Sequence, residues 1–312
     1  MTSKVSVATL TYGDRKTFLF KVVDRLLIQN FEYIYIYCNG ISLGYLNEIK
    51  QRYKKENIVI LYSKENLGSA GGYHELLQFI TNNNNSDYIL LLDDDNLVPD
   101  NCHQIISDLA IGEDQIYSFH RSDRILAKLV KGLEKPEKII GSANSFLGRD
   151  FFSLIRNSES SYLGDLAAAP YGGLLLSRKS LNTGVLPRKE LYLYADDYEY
   201  TYRLISEFYF EVVFSEAFII EDLEKSYHLK KGGRILNNRY SHASDMQLYY
   251  SVRNNTWLGL KRNQSISIFI ANLLICTVIF SAQFLFSFKF KNIKLFLKAV
   301  KDGFILHKKI GN

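Results

Sequence analysis

The sequence predicts an α/β protein: a mostly parallel central sheet with helices on both faces, followed by a helical C-terminal segment. Three observations carry this. The first hundred residues alternate short β-rich runs with stretches of helical period, the signature of βαβ units. One of those runs, Tyr88–Leu92, is wholly apolar, as a strand covered on both faces must be. Beyond about residue 241 the composition shifts to long apolar and lysine-rich stretches. With 312 residues, 47% of them hydrophobic and 14% aromatic, the chain holds enough apolar surface to offset the entropy of folding, which excludes disorder.

The elements follow in order. Lys4–Thr11 reads as a buried strand. Asp14–Asn30 is helical, because Phe18, Leu19, Val22, Val23, Leu26 and Leu27 recur on one face. Tyr33–Cys38 is a β-rich run closed by the turn pair Asn39-Gly40. Leu43–Lys55 is a polar helix and Asn57–Tyr62 a third strand. Gly68–Gly72 opens a helix near Tyr73–Thr81, Asn82–Asn85 is a solvated connection, and Tyr88–Leu92 is a short, wholly apolar strand. From about 97 to 190 the pattern loosens into loop-rich sequence. A helix near Asp197–Ser206 and a strand near Glu211–Phe214 come next, and the chain beyond Ser241 is helical. The expected organisation is therefore an α/β domain over 1–240 and a helical region over 241–312.

Ligands of open parallel sheets bind beyond the carboxyl ends of the strands, so chemistry is expected just after Thr11, Cys38, Tyr62 and Leu92. Asp93-Asp94-Asp95 follows the last of these directly. In extended chain Asp93 and Asp95 share a face and Asp94 points elsewhere. Their mutual repulsion is relieved by a divalent cation, which one or two carboxylates hold together with substrate phosphate; a solvated acidic turn is the plainer alternative. Glu65–Gly72 lies between strand and helix, where glycines let backbone N–H groups approach a phosphate, or simply make a tight turn. Asp196-Asp197 heads a helix: Asp196 is either an N-cap, with Glu199 completing a capping box, or one of the pair is a general base. His228, with His242 as competitor, offers an imidazole ligand, and Arg253 suits either phosphate binding or packing.

Taken together, Thr9–Arg15, Asn39-Gly40, Glu65–Gly72, Asp93–Asp95, Asp196-Asp197 and Tyr249–Asn254 resemble, in this order, family 2 glycosyltransferases of the GT-A fold. The closer likeness is to bacterial galactofuranosyltransferases and rhamnosyltransferases of surface-polysaccharide assembly, over roughly residues 4–260. The resemblance implies an inverting transfer from a nucleotide sugar, UDP-galactofuranose or dTDP-rhamnose, to a hydroxyl of a lipid-linked glycan. It implies that Asp93, Asp95 and His228 hold Mg²⁺ or Mn²⁺, that Asp197 is the base, and that Asp196 beside it binds sugar or acceptor hydroxyls. Thr11, Arg15 and Asn39 would line the nucleotide pocket, with Asp94, Asn66, Gly68, Gly71, Gly72 and Arg253 on the donor side. Two positions depart from the relatives: Ala195 stands where Trp often precedes the aspartates, and Tyr171-Gly172-Gly173 stands where acceptor-stacking tryptophans occur. A sugar-phosphate nucleotidyltransferase, releasing pyrophosphate, and a non-catalytic glycan-binding or scaffold protein are the competing readings.

The net charge of +5 is unevenly spread. Lys261–Asn312 holds nine basic residues against Asp302, a local charge of +8, leaving −3 on the first 260 residues. Between Arg262 and Lys289 lie 26 residues without a charge, and Ile266–Phe288 is long enough, at about 35 Å as a helix, to cross a bilayer core of about 30 Å. Crossing once would separate the catalytic body from the lysine-rich tail, against the preference of lysine for the cytoplasmic side. The expected arrangement is in-plane insertion, or a helical pair, at the cytoplasmic face of the membrane, assisted by lysines on anionic lipid. Burial against the catalytic domain, or against a second copy in a homo-oligomer, is the alternative. Nucleic acid is not expected, because the basic charge accompanies apolar sequence instead of exposed aromatics. Cys38, Cys102 and Cys276 are far apart, with no CxxC pair, and exclude a disulfide scaffold or a cysteine-zinc cluster. No apolar signal segment opens the sequence, and a reducing, cytoplasmic compartment is the expectation.

Overall fold

The computed structural model of the chain describes residues 3–121, 144–152, 168–224, 240 and 243–310. The N-terminal half alternates as the sequence predicts: β1 Val5–Tyr12, α1 Lys16–Leu27, β2 Ile34–Asn39, α2 Leu43–Arg52, β3 Ile58–Ser63, α3 Gly68–Asn83 and β4 Tyr88–Asp93. Then come β5 Asn96–Leu97, α4 Cys102–Asp108, β6 Gln115–Arg121, β7 Leu174–Ser177, α5 Arg178–Leu181, a 3₁₀ turn Lys189–Leu191, α6 Asp196–Phe208 and β8 Glu211–Asp222. Three helices follow, α7 Asp245–Arg262, α8 Ile266–Phe286 and α9 Phe290–Ile310.

The sheet order is β3-β2-β1-β4-β7-β6-β8-β5. β3, β2, β1 and β4 are parallel, β7 runs antiparallel between β4 and β6, β6 and β8 are parallel, and β5 pairs antiparallel with β8. Because β1 and β4 lie side by side, with Leu10 opposite Asp93, the end of β1 and the aspartate run sit next to one another. β1 is buried from Val5 to Thr11, and α1 covers the sheet with Leu19, Val22, Val23 and Leu26. Those residues join Val7, Ile36, Leu90 and Leu92 in one core.

Three expectations are corrected. Asn82–Asn85 is not a solvated connection throughout: α3 runs to Asn83, and Asn84 is buried, its amide donating to Tyr35 Oη at 2.6 Å and Ser6 Oγ at 3.3 Å. The region after 97 is not simply loop, since β6 and β7 lie in it. β8 extends to Asp222, twelve residues where the apolar pattern marks only the first four.

The chain divides into two compact units. One comprises Met1–Glu134, Tyr162–Tyr192 and Asp196–Glu224; the other comprises Lys135–Ser161, Leu193–Ala195 and Lys225–Asn312. In the second, α7 begins with a capping box the sequence reading missed: Ser244 Oγ accepts from Gln247 N at 3.2 Å and Gln247 Oε1 from Ser244 N at 2.8 Å. Phe269, Leu273, Cys276, Phe280 and Phe284 of α8 pack with Phe296 and Ala299 of α9 and Leu248 and Val252 of α7.

Candidate active site

β4 ends at Asp93, and Asp94 and Asp95 form the turn into β5. The strand alternation assumed for the three aspartates therefore stops at the first. Asp94 is buried, accepting from Thr11 Oγ1 at 2.7 Å and from Arg15 Nε at 2.8 and 3.0 Å. Burial pushes its carboxyl up to about 7, against the pull of Arg15 and Thr11. The Arg15 guanidinium also lies 3.3 Å from Asp95, pairs with Glu224, and rests 5.2 Å from the rings of Tyr12 and Phe18. Asp95 is pushed up to about 6, first by burial and then by Asp93.

Asp93 is partly open and accepts from Arg121 Nη1 at 3.1 Å. Arg121 is buried and donates through Nε to Asp222 at 2.9 and 3.2 Å. Asn96 completes the cluster, donating to Asp222 at 2.9 Å and accepting from the Asp93 N–H at 3.0 Å. Gly172 fits against it because a Cβ there would stand 2.2 Å from Arg121 Nη1, 2.4 Å from Asn96 Oδ1 and 2.8 Å from Asp93 Oδ2. Sequence reasoning missed Arg121, Asp222 and Asn96. It saw Gly172 only as a departure from the relatives, and the packing explains why a large ring has no room there.

The glycine-rich segment serves packing. Asn39, at the end of β2, donates to Gly68 O at 2.9 Å and accepts from Leu67 N at 2.8 Å; its amide also reaches Asn66 Oδ1 at 3.2 Å. Asn66 Oδ1 accepts from Gly68 N at 2.9 Å, and Tyr192 O accepts from Ala70 N at 3.1 Å. N–H groups at the start of α3 are thus already bonded within the protein. Gly68 holds φ +70°, and a Cβ there would lie 1.9 Å from Tyr192 O. Gly71 and Gly72 abut Leu67 and Leu10.

Asp196 is the first residue of α6 and is buried, its Oδ2 accepting from Ser69 Oγ at 2.8 Å. Burial, then repulsion from Asp197, raises its carboxyl well above the usual range, and the Ser69 bond opposes this. The capping-box alternative is not adopted: Glu199 accepts instead from Arg188 at 2.8 Å and from Arg203 at 2.7 and 3.0 Å. Asp197 is less buried, and its Oδ1 accepts from Tyr198 N at 2.8 Å. Just before the pair, Tyr192, Tyr194 and Ala195 all hold positive φ, the kind of strain that persists at functional sites. Buried Tyr171 packs on Tyr73 with ring centroids 4.1 Å apart and planes tilted by 34°, and feels the charge of both aspartates. Its neighbour Gly172 abuts Asp93, so one dipeptide packs on the β4 aspartate and lies within electrostatic range of the α6 pair.

An open cleft of about 480 Å³ lies at the ends of β1 and β2, lined by Gly13, Asp14, Lys16, Ser42, Gly44, Tyr45 and Glu48. The residues assigned to the nucleotide from sequence, Thr11, Arg15 and Asn39, are engaged in the internal contacts above. In the helical unit, Arg253 lies 4.7 Å from the Tyr250 ring, and Asn254 donates to Leu193 O and Tyr194 O, each at 2.8 Å. His228 and His242 lie outside the described residues.

The acidic cluster fits a divalent cation. Among the described residues Asp93, Asp94, Asp95, Asp222 and Glu224 are paired with Arg15 and Arg121, five carboxyl groups to two guanidinium groups. All the donors are oxygens, as Mg²⁺ and Mn²⁺ prefer. Among the described residues no group of three or more His, Cys, Asp or Glu is arranged to hold a metal alone, so Asp93 and Asp95 would share one with further ligands such as phosphate.

No protein-family model matches the chain, and no curated protein matches it in sequence. Solved structures do. GalNAc-T7, crystallised with UDP, GalNAc and Mn²⁺, superposes with TM-score 0.54 at 10% identity, over 83% of this chain and 48% of that one. The fold is GT-A. This chain spans about half the length of that protein. S. aureus TarS residues 1–349 gives TM-score 0.49 at 12% identity, over 96% of this chain and 80% of that one. Its complex with UDP gives 0.47 at 12%, over 99% and 92%. In this GT-A sheet the aspartate run occupies the carboxyl end of β4, beside β1, where ligands of such sheets bind.

Proposed function

We propose that the chain is a metal-dependent, inverting glycosyltransferase of family 2 character, transferring galactofuranose or rhamnose from its nucleotide donor to a lipid-linked glycan. The observation that carries this is the Tyr171-Gly172 dipeptide: Gly172 packs on Asp93 at the end of β4, and Tyr171 lies within electrostatic range of Asp196 and Asp197 at the start of α6, in the same unit. The GT-A fold supports it, as does the crystallisation of GalNAc-T7 with UDP and Mn²⁺.

In this reading Asp93 and Asp95 would hold the cation, whose positive charge would stabilise the departing diphosphate. Asp197 accepts the proton of the acceptor hydroxyl as its oxygen bonds to the anomeric carbon and the bond from that carbon to the diphosphate breaks. Asp196, anchored by Ser69, fixes the start of α6 and so the position of Asp197. Arg15 and Arg121 hold the aspartate run in register against its own repulsion.

The test is a panel of nucleotide sugars, including UDP-galactofuranose and dTDP-rhamnose, with Mn²⁺ or Mg²⁺ and a glycolipid acceptor. Nucleoside diphosphate should be released, and chelation should stop it. Asp95→Asn and Asp197→Asn should each lower turnover by at least about 10²-fold with unchanged circular dichroism. Release of pyrophosphate, or full activity in either variant, would sink the proposal.

A further inference from the structure

We propose that the helical unit docks in the plane of an anionic membrane surface through the outward face of α8 and the turn that follows it, without crossing the bilayer. α8 is one helix of the described residues long and apolar enough to span, but its two faces have different fates. Phe269, Asn272, Cys276 and Phe280 are buried at helical spacing. Asn272 donates to Asn144 O at 2.9 Å and to Asp150 Oδ1 at 2.8 Å, and accepts from Phe151 N at 3.0 Å. Neighbouring Arg149 lies over the Phe280 ring at 5.7 Å. A spanning α8 would carry this ionic, hydrogen-bonded segment into hydrocarbon, where charged groups are strongly disfavoured.

Among the described residues the other face has no such hydrogen-bonded partners. Leu274 and Val278 are 58% and 69% exposed, and Leu285 and Phe286 continue the apolar strip. A surface helix in water places charge there, yet none occurs between Asn263 and Phe288. Phe288, in the turn to α9, is 82% exposed and held at φ +56°, a conformation a phenylalanine adopts only under constraint. Its ring is presented outward next to Phe290.

The charge that follows selects the occupant. Lys291 and Lys298 are paired with Asp245 and Asp302, whereas Lys294, Lys308 and Lys309 are exposed on α9 without an ion pair among the described residues. Apolar side chains on α8, followed along the chain by exposed lysines on α9, match an acyl boundary beneath anionic headgroups. A second copy of the chain would bring the same lysines against themselves.

The experiment is flotation of the full chain with phosphatidylcholine vesicles, with and without phosphatidylglycerol, alongside its sedimentation state without lipid. The chain should float with the anionic vesicles and be released as salt rises. Leu274→Glu/Val278→Glu, at exposed positions that leave the packed face intact, should cut the bound fraction at least tenfold. An environment-sensitive dye at Val278→Cys should blue-shift on binding and be quenched by spin labels near the headgroup. Quenching strongest from the bilayer centre would mean spanning and overturn the proposal. So would unchanged flotation of the double variant, or a lipid-free dimer that the double variant abolishes.

Discussion

Adding one methyl group at Gly172 tests whether the β4 aspartates must stand where they do. In Gly172→Ala the new Cβ would fall 2.2 Å from Arg121 Nη1, 2.4 Å from Asn96 Oδ1 and 2.8 Å from Asp93 Oδ2. Each neighbour must retreat, the nearest by about 1 Å to reach ordinary contact. Arg121 is pinned on its far side by Asp222, so its retreat stretches the 3.1 Å bond to Asp93. Overpacking of this kind costs about 1–3 kcal/mol, and a misplacement of about 1 Å at a reacting centre costs about 10²-fold in rate. Urea unfolding should therefore show that loss of stability, and metal-dependent release of nucleoside diphosphate should fall about 10²-fold. Gly184→Ala is a control for glycine replacement without crowding: it has nothing within 4 Å, and its φ of +74° adds a left-handed backbone penalty that Gly172 does not carry. It should lose about 1–2 kcal/mol and keep its turnover. If Gly172→Ala keeps turnover within about twofold at equal protein folded, the link from Gly172 through Arg121 to Asp93 is not part of catalysis.

Two further outcomes follow from the same unit. Arg121→Ala strands Asp222, a buried carboxylate, and should cost about 3–5 kcal/mol in urea unfolding; a loss below about 1 kcal/mol would mean that the pair does not hold the β6–β8 end together. Ser69→Ala removes the donor that opposes the raised proton affinity of Asp196, so that carboxyl should rise further. The sign for stability is equally fixed. A carboxyl held above its unfolded value binds protons more readily when folded, so its contribution declines as pH rises from the usual carboxylate range through the folded value. Thermal unfolding across pH should show that decline extending to higher pH in Ser69→Ala, and an unshifted profile would remove Ser69 from the site.

Local patterning located the first seven elements because each is decided by its own periodicity. β6 and β7 escaped it for different reasons. Gln115–Arg121 mixes polar residues into both faces, and Leu174–Ser177 has only four residues, too few for a period. The acidic run and the paired aspartates were legible because like charges crowded at strand and helix ends need an explanation wherever they occur. Their partners were not: Arg121 and Asp222 stand 101 residues apart, and nothing near either marks the other. The glycines were legible as a special segment but not in their use, since the contacts of Gly68 with Tyr192 and of Gly72 with Leu10 come from tertiary structure. Arg15 is a similar case: the resemblance put it in the nucleotide pocket, and the fold turns it onto Asp94.

The internal engagement of Asn39, Asn66 and Gly68 has an evolutionary consequence. A Cβ at Gly40 would meet the Asn66 backbone at 2.5 Å, and one at Gly68 would meet the Tyr192 carbonyl. Selection on these positions comes from the backbone and acts whether or not a donor is ever bound. A relative that had lost its chemistry would keep Asn39, Gly40, Asn66 and Gly68 intact for as long as it still folded, while Asp95 and Asp197 drifted. Under the proposed function, the asparagines and glycines of such a lineage would report the fold, and Asp95 and Asp197 would report the activity.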